Sequence, residues 1–301
     1  MNLPDRRSLA LLGVAIMAIA SSAVLVRWAE APAIALAFWR TLGGSLVLAT
    51  RRRPADTRPR PSRATTLAIV GAGLALAVHF SSWLASLEMT SVAASVTLVS
   101  TAPIGVALLQ WGAGGDRPDR RNWLVIAVTL LGVAVIAGGD IGTSSDELAG
   151  DALALLGAVA MAVYLVLGGR ARTELSTTDY GARAYAVAAA ALLPTALVTR
   201  TPLWGYDAQT WLVIAAMILG PQLAGHTVLN LLLEQLGSLT VSLALLAEPI
   251  GASVLTWLLF AETPPLAAWI GAPIVLTGLA LHLLWASGQD VTTSRRAASS
   301  S

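Results

Sequence analysis

The chain has 301 residues, of which 56% are hydrophobic and 12% charged, with a mean hydropathy of +0.72. A soluble domain carries about 25% charged residues, so this composition excludes a conventional cytosolic enzyme, a disordered chain and a nucleic-acid binder. Cysteine is absent and all 19 basic residues are arginine. Disulfides, iron–sulfur clusters and thiolate-bound zinc are thereby excluded, as are the lysine-dependent phosphate loop and Schiff-base chemistry, and neither a cofactor nor a metal is expected.

The apolar residues fall in blocks of roughly 18 to 22, the length that crosses a hydrocarbon core about 30 Å thick at about 1.5 Å per helical residue. In chain order the pattern predicts ten membrane helices at 8–26, 32–50, 65–86, 91–111, 122–139, 151–168, 181–199, 209–233, 238–260 and 265–285. Arg51 to Arg63 is the longest polar stretch between spans, which leaves no room for a soluble domain. Function must therefore lie within the bilayer, with the fold all-α.

Arginine placement orients the spans. With the N-terminus cytoplasmic, the inner segments collect Arg6, Arg7, Arg51, Arg52, Arg53, Arg58, Arg60, Arg63, Arg117, Arg120, Arg121, Arg170, Arg172, Arg183, Arg295 and Arg296, whereas the outer ones receive Arg27 and Arg200. The outer loop from Asp140 to Asp151 is acidic and free of arginine. This is the positive-inside pattern, so both termini are expected in the cytoplasm and the Arg51–Arg63 run reads as a topology signal and linker. Cleavage of the first span as a signal sequence would break the repeat described next, and the span is read as retained.

A shift of 146 residues lays one half of the chain on the other without gaps over about fifty positions. Glu88 then meets Glu234, Pro103 meets Pro249, Gly105 meets Gly251, Trp111 meets Trp257, Trp123 meets Trp269 and Gly132 meets Gly278. Matches of tryptophan, proline and glycine at one constant offset indicate duplication. Each half holds five spans, an odd number, so the second copy enters the membrane inverted, an arrangement suited to alternating access. The expected units are a first five-helix repeat at 1–139, an outer connecting loop at 140–150, a second repeat at 151–285 and a disordered cytoplasmic tail at 286–301.

Phe38-Trp39-Arg40-Thr41 in the second span and His79-Phe80 with Trp83 and Ala85 in the third resemble the EamA type of the drug/metabolite transporter superfamily. Ala102-Pro103-Ile104 in the fourth span and its counterpart Ala247-Glu248-Pro249-Ile250 in the ninth extend the resemblance over essentially the whole chain. The resemblance implies a ten-helix carrier with a central cavity near the bilayer midplane, of a kind in which many members export amino acids, related metabolites or drugs.

Several residues stand out against the apolar spans. Pro103 and Pro249 fall near the middle of their helices and free the carbonyls of Val99 and Leu245, marking kinks that serve either as hinges or as fixed bends. His79, Ser82, Trp83 and Ser86 share one face of the third span, and Gln222, His226, Asn230 and Glu234 form a spiralling stripe along the eighth. Neither stripe can face lipid cheaply, so His79, Ser82, Trp83, His226 and Asn230 are the candidates for substrate contact. Polar residues also cross-link helices, so structural roles stay open. Arg40 and Glu248 lie about 12 and 15 Å from their span ends at about 1.5 Å per residue, and a mutual ion pair is the simplest way to hold both charges near the midplane. Glu88, Glu234 and Glu262 read as interfacial charges.

The leading expectation is a secondary carrier that exports small organic metabolites, foremost amino acids or related amphipathic compounds, from the bacterial plasma membrane. Efflux of drugs or purine-like compounds is the alternative within transport. An intramembrane enzyme is disfavoured, because G-x-S-x-G and H-E-x-x-H are absent, and a non-transport scaffold is a third reading. The expected partners are a small-molecule substrate and the lipid bilayer, without nucleic acid, and a homodimer is left open.

Overall fold

The computed structural model describes residues 6–51, 61–115, 117–137, 144–261, 263–264 and 266–299. Arg52, Arg53, Arg58, Arg60, Asp140 and Glu262, used above to orient and bound the spans, lie outside the described residues. Those described form helices and turns, with no strand among them: α1 (Arg6–Val26), α2 (Ala33–Thr50), α3 (Arg63–Met89), α4 (Val92–Val99), α5 (Ala102–Gly112), α6 (Arg120–Ala137), α7 (Ser145–Ala171), α8 (Thr177–Val198), α9 (Ala208–Met217), a π-helical segment (Ile218–Thr227), α10 (Val228–Leu245), α11 (Glu248–Phe260) and α12 (Leu266–Ser299). Among the described residues, eight helical stretches are long and apolar enough to cross a membrane, and α11 is a shorter apolar helix of 13 residues.

Boundaries differ from the apolar pattern where side-chain caps start the helices. Ser144 accepts from the Glu147 backbone N–H while the Glu147 side chain returns to the Ser144 N–H, a reciprocal box that starts α7 at Ser145 instead of 151. Residues 145–150 of the expected outer loop are thus helical. The Ser176 side chain accepts from the Asp179 backbone N–H and starts α8 at Thr177 instead of 181. The last helix continues to Ser299, so the tail expected to be disordered is helical in backbone as far as that residue. Between the expected eighth and ninth spans, helical hydrogen bonding runs through, but Gly237 adopts φ 77° and ψ 159° and breaks the axis. A residue with a Cβ is strained in that conformation.

The two prolines do not kink continuous helices. Each sits in the first turn of a new helix, α5 or α11, where its missing N–H leaves no orphan. Both breaks are bridged by three-residue bonds that repeat at the 146-residue offset. Thr101 N–H donates to Leu98 O at 3.1 Å and Ala247 N–H to Ala244 O at 3.0 Å, then Ile104 N–H to Thr101 O at 3.0 Å and Ile250 N–H to Ala247 O at 3.1 Å.

Packing follows the same offset. α3 lies on α7, and its counterpart, the π segment with α10, lies on α1; α4 and α5 rest on α7, and α11 rests on α1; α2 crosses α8 and α6 crosses α12. The last crossing shows the exchange atom by atom. A Cβ on Gly132 would stand 2.7 Å from Val275 N, and one on Gly278 would strike Thr129, and Gly132 maps to Gly278 as Thr129 maps to Val275. The close backbone approach requires glycine at position 132, and Gly278 leaves room for the Thr129 side chain.

Polarity is arranged from the inside out. Leu197, Leu212 and Leu258 are each about two-thirds exposed on the exterior, whereas Arg40, Gln222 and Asn230 are at most 1% exposed. A soluble protein would not sustain such a surface; hydrocarbon solvates it. At one end, Glu174 in the α7–α8 turn accepts from the Ser62 backbone N–H and hydroxyl, each at 3.0 Å. These bonds, the backbone one foremost, hold its carboxyl below the ordinary value of 4.5.

Candidate functional site

A small central chamber, with a cavity volume of about 50 Å³, lies where α1, α2, α3, the π segment and the two helix breaks converge. That is smaller than typical small-ligand pockets, about 300–1,000 Å³. Its polar wall includes Arg40, His79, Trp83, His226 and Glu248 beside Ser22, Ser100 and Ser242, with Pro103 at one break. Phe80, Met161, Leu245 and Leu246 supply much of the apolar wall.

Arg40 is fixed by three neighbours. Its Nε donates to Gln222 Oε1 at 3.0 Å, Nη1 to Ser22 Oγ at 3.5 Å, and its guanidinium carbon stands 4.1 Å above the Phe80 ring. Nη2 is buried without a hydrogen-bond partner. The Phe-Trp-Arg-Thr run thus divides its labour along α2. Trp39 turns the other way, donating from Nε1 to Leu203 O at 2.8 Å and meeting Trp204 and Trp211 edge-on, an aromatic cluster suited to a membrane interface.

His79 Nδ1 lies 2.9 Å from Gly157 O. A carbonyl can only accept, so Nδ1 carries the proton and the neutral ring keeps Nε2 as an acceptor. The imidazole stacks on Trp83 at 6.0 Å and 5°, and Trp83 Nε1 is buried without a partner. His226 meets Phe80 edge-on at 5.2 Å, and its Nδ1 is likewise unpartnered. The wide i→i+5 turn carrying His226 contains Pro221, whose ring would crowd the preceding carbonyls of an α-helix. Each residue of the wider turn advances through a smaller angle, which counters the drift of a four-residue spacing and keeps Gln222 and His226 aimed inward.

Glu248 opens α11 and lines the chamber half-buried. The expected contact with Arg40 is not formed: among the described residues no carboxylate oxygen lies within 4.0 Å of the guanidinium, whose bonds go to Gln222 and Ser22. Both charges instead face one space from different walls.

Ser82 and Asn230 stand outside the chamber. Ser82 Oγ donates to Val78 O at 2.7 Å on its own helix and packs against Gly157. Asn230 belongs to a buried tyrosine network: Tyr164 OH donates to its Oδ1 at 2.8 Å, and its Nδ2 donates to Tyr185 OH at 3.1 Å. Pro249 is buried in the α11 first turn but does not line the space. Sequence reasoning missed Phe80, Ser22 and Gln222 as the supports of Arg40; Gln222, already on the polar stripe of Asn230 and His226, was the available signal. Glu234 is half-exposed, as an interfacial charge should be, and also pairs with Arg172 at 2.6 Å.

An apolar exterior around a charged, polar-lined interior defines a multi-pass helical membrane protein. The model of the EamA-like transporter family matches residues 7–138 and again 148–284, and the chain belongs to that family. Its function class is therefore membrane transport of small molecules. No curated protein matches the chain in sequence. A solved structure described only as a crystal structure of a protein is similar in fold, with a TM-score of 0.77 at 18% identity, covering 93% of this chain and 98% of its own.

Proposed function

We propose that the chain is a secondary carrier that exports small organic metabolites, foremost amino acids or related amphipathic compounds, by alternating access of two inverted five-helix repeats. The observation carrying this reading is the separation of Arg40 from Glu248 across one chamber. A fixed cation with a free donor and an unpaired carboxylate complement the two ends of a zwitterion, while Phe80, Met161, Leu245 and Leu246 suit an apolar side chain. The recurrence of both helix breaks and of the Gly132 and Gly278 contacts at one offset supports the ten-span, two-repeat architecture. His79, Trp83 and His226 are assigned to substrate, Asn230 and Ser82 to the packing behind it, and the breaks at Pro103 and Pro249 to hinge motion. The arginine distribution supports cytoplasmic termini in a bacterial plasma membrane.

The stacked His79 and Trp83 rings favour planar aromatic compounds as the second reading. A thermal-shift panel on purified protein separates the two. Apolar amino acids should raise the melting temperature and be counter-transported in proteoliposomes, whereas their decarboxylated amines should do neither. Stabilisation by purines or planar cationic drugs without any response to amino acids would overturn the assignment.

A further inference from the structure

Arg172 is only 4% exposed, yet it lies in the short turn between α7 and α8, away from the chamber. Nε donates to Asn230 O at 3.0 Å, Nη2 to Glu234 Oε2 at 2.6 Å and Nη1 to Leu175 O. One guanidinium therefore ties the α7–α8 turn to two points of α10 one helical turn apart.

Asn230 connects this clamp to the chamber. Its Nδ2 donates to Tyr185 OH, and that hydroxyl, having accepted, spends its single proton on Thr227 Oγ1 at 3.1 Å. Thr227 in turn donates to Gln222 O at 3.1 Å, across five residues of the π segment. Gln222 then accepts from Arg40 Nε at 3.0 Å through its side chain. From Asn230 through Tyr185 and Thr227 the bonds run in one direction and reinforce one another, and they meet the Arg40 bond, which comes from the other side, at Gln222. The chain spans from the chamber cation to a half-exposed ion pair at the end of the bundle.

We propose that Arg172 is a gate-positioning residue for transport: the hydrogen-bonded series Arg172–Asn230–Tyr185–Thr227–Gln222–Arg40 makes closure at the end bearing Glu234 depend on the state of Arg40. This rests on the carrier reading above. An anionic group of the substrate that engages Nη2 would draw the Arg40 guanidinium from Gln222, loosen the π segment and release the clamp. A tie that merely stabilises the fold would hold the same residues together without linking the two ends.

The lysine- and cysteine-free chain permits a clean test. Cysteine is introduced at Ser242, which lines the chamber, and its modification by a membrane-impermeant maleimide is timed from the aqueous face bearing Glu234. Arg172→Gln should raise the rate about tenfold or more. Arg40→Gln, at the far end of the series, should raise it similarly, and the double variant should not exceed the larger single effect by more than about twofold. Glu234→Gln, a same-shape change at a half-exposed position, should raise it less, because the Asn230 and Leu175 bonds persist. It also provides the readout if Arg172→Gln fails to fold. Rates unchanged in Arg172→Gln or Glu234→Gln despite a lowered melting temperature, or effects of Arg172→Gln and Arg40→Gln that multiply, would overturn the proposal. The measurement needs no substrate, so raised labelling in a protein without flux would refute the carrier reading alone, and intact flux with unchanged labelling would refute the gate alone.

Discussion

Gly132→Ala is the sharpest test of the packing described above. The added methyl would stand 2.7 Å from Val275 N, 2.8 Å from Val275 Cγ2 and 2.9 Å from Gly271 O. Two of those atoms are backbone, so no rotamer change relieves the overlap and α6 must move off α12. Overpacking of this kind costs about 1–3 kcal/mol, offset by about 1 kcal/mol for replacing glycine with alanine in a helix. Gly13→Ala in α1 is the control, since nothing lies within 4 Å of its Cβ position, and it receives the propensity gain alone. The two variants should therefore differ by about 1–3 kcal/mol, a gap of at least about 2 °C at about 2–4 °C per kcal/mol, read by thermal melting in detergent. Gly278→Ala should be milder than Gly132→Ala, because its nearest obstacle is the Thr129 hydroxyl. Thr129→Ala should rescue it by more than about 0.5 kcal/mol, beyond simple additivity. A Gly132→Ala protein that melts with or above Gly13→Ala would refute the close crossing and the exchange of contacts between halves.

Arg40→Gln and Glu248→Gln should destabilise additively, within about 0.5 kcal/mol in a double-mutant cycle, because no direct bond joins them. Coupling above about 1 kcal/mol would mean that the pair closes in solution. The depressed carboxyl of Glu174 contributes stability above its ordinary value of 4.5, and that contribution is lost as pH falls through its lower folded value. Glu174→Gln should be less stable at neutral pH and should lose less stability than the parent below pH 4.5; superimposable melting profiles from pH 7 to 3 would exclude the role.

Much of the site was legible because membrane burial penalises every polar atom. His79, Trp83 and His226 had to face inward, and Arg40 and Glu248 had to share an interior, and all five line one chamber. Sequence spacing fixes a face but not a partner. Asn230 lies on the same stripe as His226, yet two tyrosines from neighbouring helices claim its side chain, and nothing in the apolar runs around Tyr164 and Tyr185 marks them as its partners. Arg40 and Glu248 were paired on energetic grounds alone, whereas Gln222 and Phe80 satisfy the cation locally and permit it to face a cavity. The π segment was unreadable because a four-residue period fits a wide turn and a drifting α-helix equally well. The Ser144 and Ser176 caps lie outside the apolar periodicity that marks the spans.

The twin helix breaks are alike in backbone and unlike in charge. Glu248 opens α11, but the matching first residue of α5 is Ala102, and the residue at the offset from Arg40 is Ala186. Halves of equal charge would interconvert between two-fold-related states of equal energy, whereas a chamber that takes its cation from one half and its anion from the other makes the two states inequivalent. For a carrier of this construction, affinity on the two faces of the membrane can differ without any gradient. Each tenfold difference corresponds to about 1.4 kcal/mol between the empty and loaded conformational equilibria. Detailed balance cancels the asymmetry around the closed cycle, so it sets which face captures scarce substrate and contributes nothing to net accumulation. Directional pumping would have to draw on a second, coupled gradient.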